Sequence, residues 1–323
     1  MDPLLFQRDI ERTPQTLRAL AGDLHTSNPW SEPFSAEIGI DRKIVLLGMG
    51  SSHFANSVLA LRLQAHGICA VATLASTDPL PAVNEEDFVI AVSASGCSAE
   101  TVDAIARYSG ICHTIALTNT RGSVIERACD SHVSMLAGKE EGGVACRSFA
   151  HTLALHLALL ETLTGSPAAS KTIALAAKAA QDFLDSRDQW LGPLSEILLG
   201  PDGTTIVAPS RRLANAQQSA LMLREGPRLP AIACETGDWS HIDVYLTKTT
   251  DYRMLVLPGS AWEAQLLDWC SQRGSTLATA GGELPGTAMT LRYLNDSDDD
   301  VRLLTEAIIM ESVAAAKWLS QTS

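Results

Sequence analysis

The chain has no apolar run near the ~20 residues that a membrane-spanning helix needs. Its Leu153–Leu163 stretch is interrupted by His156 and Glu161. Basic residues are short too: 24 Lys and Arg face 37 Asp and Glu, a net charge of −13. So acidic a surface repels phosphate backbones and anionic lipid, so neither nucleic acid nor a membrane is an expected partner. Seven cysteines (69, 97, 112, 129, 146, 234 and 270) are an odd count with no Cys-x-x-Cys pair. A disulfide framework and a zinc site are therefore disfavoured, and a reducing cytoplasm is the expected compartment. Met1–Ile10 carries acids where a secretory signal has a basic start and an apolar core, so no leader is expected. His53, His66, His113, His132, His151 and His156 lack carboxylates at ligand spacing, so no metal or cofactor is expected.

What remains is rich in core-forming residues. Of 323 residues, 46% are apolar and only 14 are proline. That length fits two domains or one large α/β unit, with a core that needs no metal or disulfide. Short aliphatic runs at Lys43–Leu47, Ile68–Thr73, Phe88–Val92, Thr114–Thr118 and His132–Leu136 alternate with helical stretches at Phe54–His66, Ala99–Tyr108 and Val124–Ala128. Strands apolar on both faces, alternating with helices, predict a parallel sheet covered on both sides. Ala/Leu-rich helices follow at Gly143–Leu163 and Ala168–Leu184, broken at Gly165-Ser166-Pro167.

The pattern then starts again. Thr205–Ala208, Ala231–Cys234, Met254–Leu257 and Thr276–Ala280 read as strands, with helices at Arg212–Glu225, Ala261–Ser271 and Val301–Trp318. The strand spacings of the two stretches match loosely, which predicts a tandem repeat of one α/β lobe. The expected plan is a helical lead over 1–40, a first lobe over 41–165, a linking helical region over 166–200 and a second lobe over 201–323.

The third strand runs straight into Ser93-Ala94-Ser95-Gly96-Cys97-Ser98, and a helix starts at Ala99. Hydroxyls, backbone N–H groups and the positive end of a helix dipole make such a junction an anion cradle. The first strand ends similarly, in Gly48-Met49-Gly50-Ser51-Ser52. Two other readings compete. Ser98 could be an ordinary N-cap on a plain turn. Gly48-x-Gly50 could open a dinucleotide site, but His53 stands at the third glycine position and the second strand ends at Thr73 without an acid. No Gly-Lys-[Ser/Thr] of a nucleotide phosphate loop occurs. A small phosphorylated metabolite is the better expectation.

These segments, with Ala116-Leu117-Thr118-Asn119 and Gly122-Ser123, resemble the SIS (sugar isomerase) fold. The pattern is most similar to the tandem-SIS isomerase half of glutamine–fructose-6-phosphate aminotransferase and its deglycase relatives, over roughly residues 40–320. The resemblance implies two lobes, each a parallel five-stranded sheet flanked by helices in a flavodoxin-like sandwich. It implies phosphate ligands at Ser52, Ser93, Ser95 and Ser98 and a substrate-binding loop that includes Gly50 and Ser51. Ala94 stands where the family often has Gln. Glu140 matches a family position lining the sugar site, and Ala145-Cys146-Arg147 replaces the Ser-Thr-Lys that follows it there. Arg147 keeps the cation without a lysine's point-donor geometry.

Leu223-Arg224-Glu225 and the segment Gly237-Asp238-Trp239-Ser240-His241 resemble the family's Leu-Lys-Glu helix end and its Gly-x-x-x-His. Glu225 would then move the proton between C1 and C2, and His241 would assist at a sugar oxygen. Glu225 closes a helix just before Gly226-Pro227, where the dipole is expected to raise its pKa toward that of a useful shuttle. On residue type alone, both are more often structural groups. The resemblance also implies at least a homodimer, with His241 reaching a neighbouring subunit's site. The apolar helices between 143 and 184 are expected to supply surface for it.

Two departures narrow the activity. No glutaminase domain is expected, since residue 2 is Asp rather than the family's nucleophilic Cys. Nor is a Schiff base expected, since the family's tail lysine has no match and Lys317 sits on the preceding helix. The leading expectation is an aldose–ketose isomerase acting through an enediol or enaminol. A fructosamine-6-phosphate-type deglycase or amino-sugar deaminase uses the same chemistry. A non-catalytic sugar-phosphate sensor is the alternative from another class.

Overall fold

The computed structural model describes residues 1–34 and 42–322. The expected boundary at residues 40 and 41 lies outside them. Contacts divide the chain into two compact units. One comprises Gln15–Glu140 and Arg147–Ala174, and the other Met1–Pro14, Glu141–Cys146 and Leu175–Ser323.

The helical lead holds two helices, α1 (Pro3–Glu11) and α2 (Thr13–Thr26). Asp2 caps α1 by accepting the Leu5 N–H at 2.9 Å, and Pro3 sits where a missing N–H costs nothing.

In the first unit, β1 (Lys43–Gly48), β2 (Cys69–Leu74), β3 (Phe88–Val92), β4 (His113–Thr118) and β5 (Ser131–Ser134) pair in the order β2-β1-β3-β4-β5. Every pairing is parallel, with Leu46 opposite Ile90 and Ile90 opposite Ile115. The helices α3 (Ser51–Ala65), α4 (Ala99–Ala106) and α5 (Val124–Ala128) follow β1, β3 and β4. On one face Val45, Leu47, Val89 and Ala91 pack with Ala104, Ile105 and Tyr108. The next helix, α6 (Arg147–Thr164), packs on α3 and is buried without a break from Arg147 to Leu160. The Trp30 indole N–H and the Asn28 amide each donate to its carbonyls, Leu155 and Ala158, at 2.8 Å. The apolar surface expected to need a second subunit is thus covered within one chain. That reason for a dimer does not hold.

α7 (Ala169–Asp185) and α8 (Arg187–Leu198) come next, within the stretch expected to be a linking helical region, and α8 carries Pro193 in its interior. The second unit's sheet contains β6 (Thr204–Ala208), β7 (Ala231–Glu235), β8 (Arg253–Val256), β9 (Thr276–Ala280) and β10 (Met289–Leu291). Its order is β10-β9-β8-β6-β7, all parallel. Renumbered from its own first strand, that order is the same 2-1-3-4-5 as the first sheet, the flavodoxin-like arrangement. α9 (Leu213–Glu225), α10 (Thr236–Trp239), α11 (Glu263–Arg273), α12 (Asp299–Thr305) and α13 (Ala307–Thr322) complete the described helices. The single helix expected over Val301–Trp318 is split at Glu306, whose buried carboxylate receives the Arg212 guanidinium.

Among the described residues, no helix is long and apolar enough to cross a membrane. All seven cysteines are free thiols.

Candidate functional site

In open parallel sheets, ligands sit beyond the carboxyl ends of the strands where the strand order reverses. In the first sheet that point lies between β1 and β3, where Gly48 pairs with Val92. The loops Met49–Ser52 and Ser93–Ser98 therefore leave the sheet side by side, from strands about 4.8 Å apart.

The serine loop is held from below. Ser93 N–H donates to the Leu117 carbonyl at 3.1 Å. The Ala94 carbonyl accepts from Asn119 N–H at 3.2 Å and from the Thr118 and Thr120 hydroxyls at 3.4 and 3.2 Å. Gly96 takes φ +65°, and a Cβ there would lie 2.9 Å from Thr118 Oγ1 and collide with Ser123. Only glycine fits that corner. Ser93 Oγ accepts Gly96 N–H at 3.1 Å and Ser95 Oγ accepts Cys97 N–H at 3.4 Å, so each hydroxyl keeps its proton to donate.

Ser98 stands at the N-cap of α4, yet its hydroxyl turns to Glu100 Oε2 at 2.9 Å. The ordinary-cap reading therefore fails. Gly50 opens α3 with φ +50°, and Ser51 and Ser52 form the first helical turn, both half-buried. Glu140, beyond β5, is at the same end of the sheet. Its carboxylate accepts the Ser148 N–H at 2.9 Å and the Ser148 hydroxyl at 2.7 Å, and so starts α6. Asn119 ties this segment to the serine loop. Its side chain accepts Ala137 N–H at 3.0 Å and donates to the Gly138 carbonyl at 2.7 Å. Arg147 is buried and donates to the Lys139 carbonyl.

Glu225 and His241 belong to the other unit. Glu225 is the half-buried last residue of α9, where Gly226 N–H returns to the Met222 carbonyl and Pro227 follows. His241 is exposed just past α10. It lines a depression of ≈ 300 Å³ with Glu235, Gly237, Asp238, Trp262 and Gln265. Trp262, which lines the depression, and Ile242, next in the chain to His241, are exposed apolar groups (61% and 54%).

The second sheet's equivalent point, between β6 and β8, is filled with guanidinium groups that the sequence reading missed. Arg212 is wholly buried and bonds Asp299 Oδ1 at 2.9 Å, Glu306 and the Pro258 carbonyl. Arg211 bonds Asp299 Oδ2 at 2.8 Å and the Gly259 carbonyl at 3.1 Å. Arg302 reaches the Pro258, Gly281 and Asp296 carbonyls. Among the described residues, no group of three or more His, Cys, Asp or Glu could hold a metal ion.

Several known proteins are similar to this chain. The glutamine–fructose-6-phosphate aminotransferase [isomerizing] of Sulfurisphaera tokodaii is 25% identical over 251 residues, 76% of this chain and 42% of that protein. The chain thus spans less than half the length of that relative. The C-terminal domain of glucosamine-fructose-6-phosphate aminotransferase from Francisella tularensis superposes with TM-score 0.79 at 15% identity, covering 97% of this chain and 96% of that one. Tagatose-6-phosphate ketose/aldose isomerase from Escherichia coli superposes with TM-score 0.81 at 17% identity, covering 98% and 94%. Residues 40–162 match the SIS domain family, and the two helix-flanked parallel sheets have the α/β SIS fold.

Proposed function

We propose that the protein is a phosphosugar isomerase-type enzyme. A phosphorylated sugar or amino sugar is anchored by its phosphate and exchanges a proton between C1 and C2 through an enediol or enaminol. The observation that carries this reading is the pinned serine loop at the strand-order reversal of the first sheet. Ser52, Ser93, Ser95 and Ser98 would bind the phosphate there, with Gly50, Ser51 and the Ala94 backbone shaping the cradle and Glu140 bordering the sugar. Similarity to proteins named for fructose-6-phosphate and tagatose-6-phosphate chemistry supports the substrate class.

Glu225 would carry the proton, and His241 would serve a sugar oxygen. The two stand at opposite ends of one sheet, so a single copy does not bring them to one sugar. We therefore assign His241 to the site of a second copy of this chain. The exposed Ile242 and Trp262 beside His241 suit contact with that copy.

Thermal shifts test the reading. Fructose, glucose, glucosamine and fructosyl-amino acids are compared with their 6-phosphates. Only the phosphorylated forms should raise the melting temperature. Equal shifts from the unphosphorylated sugars would defeat the assignment.

A further inference from the structure

The cradle in the first sheet already holds an anion. Glu100, the second residue of α4, folds back so that its carboxylate accepts the Ser98 hydroxyl at 2.9 Å and its own backbone N–H. Its own N–H first, then Ser98, hold its carboxyl below the usual range. The Thr101 hydroxyl steadies Ser98 from behind at 3.2 Å. One hydroxyl expected to face a phosphate, that of Ser98, is thus spent on a carboxylate of the chain, together with a backbone N–H of the first turn of α4. Beneath the same loop, the buried Ser123 Oγ has no partner among the described residues, so the loop's polar groups are not all satisfied.

The second sheet also sets a carboxylate at the loop after its own third strand, through different donors. After β8, the carboxylate of Glu263, the first residue of α11, accepts the N–H groups of Gly259 and Ser260, the latter at 2.8 Å. This loop is walled in. Arg211 holds the Gly259 carbonyl, and Arg212 and Arg302 hold that of Pro258. A Cβ on Gly259 would lie 2.9 Å from both Arg211 and Arg212. Glu263 is half-buried, whereas Glu100 is fully exposed and can swing into water.

We propose that Glu100 is an internal stand-in for the substrate's phosphate, occupying the cradle when it is empty and leaving when phosphate enters. Glu263 is a permanent counterpart, which leaves one phosphate site per chain. This inference rests on the phosphate reading above. Because two anions cannot share these donors, Glu100 sets how strongly a bare phosphate binds. A sugar phosphate gains further contacts along the sugar, so Glu100 selects against inorganic phosphate. It is a specificity residue rather than a catalytic one.

The test is calorimetric titration of the full chain with inorganic phosphate at constant ionic strength. Wild type, Glu100→Gln, Glu100→Ala and Ser95→Ala are compared, with matched melting curves as a check on folding. Both Glu100 variants should bind phosphate about tenfold more tightly, at one site per chain, because a facing negative charge is gone. Ser95→Ala should bind more weakly. If Ser95→Ala weakens binding but the Glu100 variants bind no tighter than wild type, the stand-in role is overturned and the phosphate site survives. If no protein binds phosphate, or Ser95→Ala changes nothing, both fall together.

Discussion

Glu225 and His241 flank one strand from opposite ends. α9 returns the chain from the end of β6 to the start of β7, leaving Glu225 at the amino edge of the second sheet. β7 then runs to the carboxyl edge, and His241 follows it beyond α10. Five strand residues at about 3.3 Å each separate the two edges by roughly 16 Å. A proton shuttle and its helper must both lie within hydrogen-bond reach of one sugar, so the roles proposed for this pair require His241 to act at a second copy's site.

Mixing therefore has a definite outcome. Glu225→Gln and His241→Ala proteins, each inactive alone, should recover part of the activity when combined and allowed to exchange subunits. One of the two composite sites is then intact. No recovery, with exchange shown by light scattering of tagged subunits, would place both residues in one chain's chemistry or in neither.

The serine loop should respond one donor at a time. A hydrogen bond to a charged group contributes about 1.5–3 kcal/mol. Ser95→Ala or Ser52→Ala should thus raise the KM or Kd for a sugar phosphate about ten- to hundredfold. Affinity for the unphosphorylated sugar should not change.

Arg212 is a structural counter-ion for a wholly buried carboxylate, since it and Glu306 are both fully enclosed. Arg212→Met removes the guanidinium bonded to the buried Glu306 and leaves it the Asn215 amide, which should cost about 3–5 kcal/mol in urea unfolding. The double variant with Glu306→Leu should regain much of that loss. If the single variant is as stable as wild type, the pair does not anchor this end of the sheet.

Acid should weaken the first unit through two histidines. Burial pushes His156 down to about 3 and, with a smaller push from Arg147, His151 down to about 4. Both stay neutral in the folded chain while the unfolded chain protonates near pH 6.5. Their contribution is thus complete above pH 6.5 and is lost as pH falls toward the folded values. Between pH 7.5 and 5.5 each should remove roughly 1.4 kcal/mol of unfolding free energy. His156→Leu should flatten the profile by one such share, and an unchanged slope would contradict the burial argument.

Much of the fold is legible in the sequence because buried parallel strands are unbroken aliphatic runs. Phe88–Val92, Thr276–Ala280 and the short helix Val124–Ala128 stand where the pattern puts them. β10 escapes notice, being three residues on a sheet edge. The serine loop is equally visible, since strand, loop and helix are consecutive. The filled cradle of the second sheet is not. It depends on Arg212 meeting Asp299 across 87 residues, and no local pattern encodes that meeting. Asp298-Asp299-Asp300 reads as acids opening the last helix. Asp298 caps α12 by accepting the Asp300 and Val301 N–H groups, while Asp299 bridges two arginines.

Proton exchange at the sugar carbons tests the central claim most directly. A panel of hexose and hexosamine 6-phosphates is incubated with the protein in D2O and followed by NMR. At least one sugar phosphate should take up deuterium at C1 or C2. Glu225→Gln should slow that uptake on the order of 10²–10⁴-fold without weakening binding. Uptake at the wild-type rate in Glu225→Gln, or binding of every sugar phosphate with no exchange at all, would contradict it.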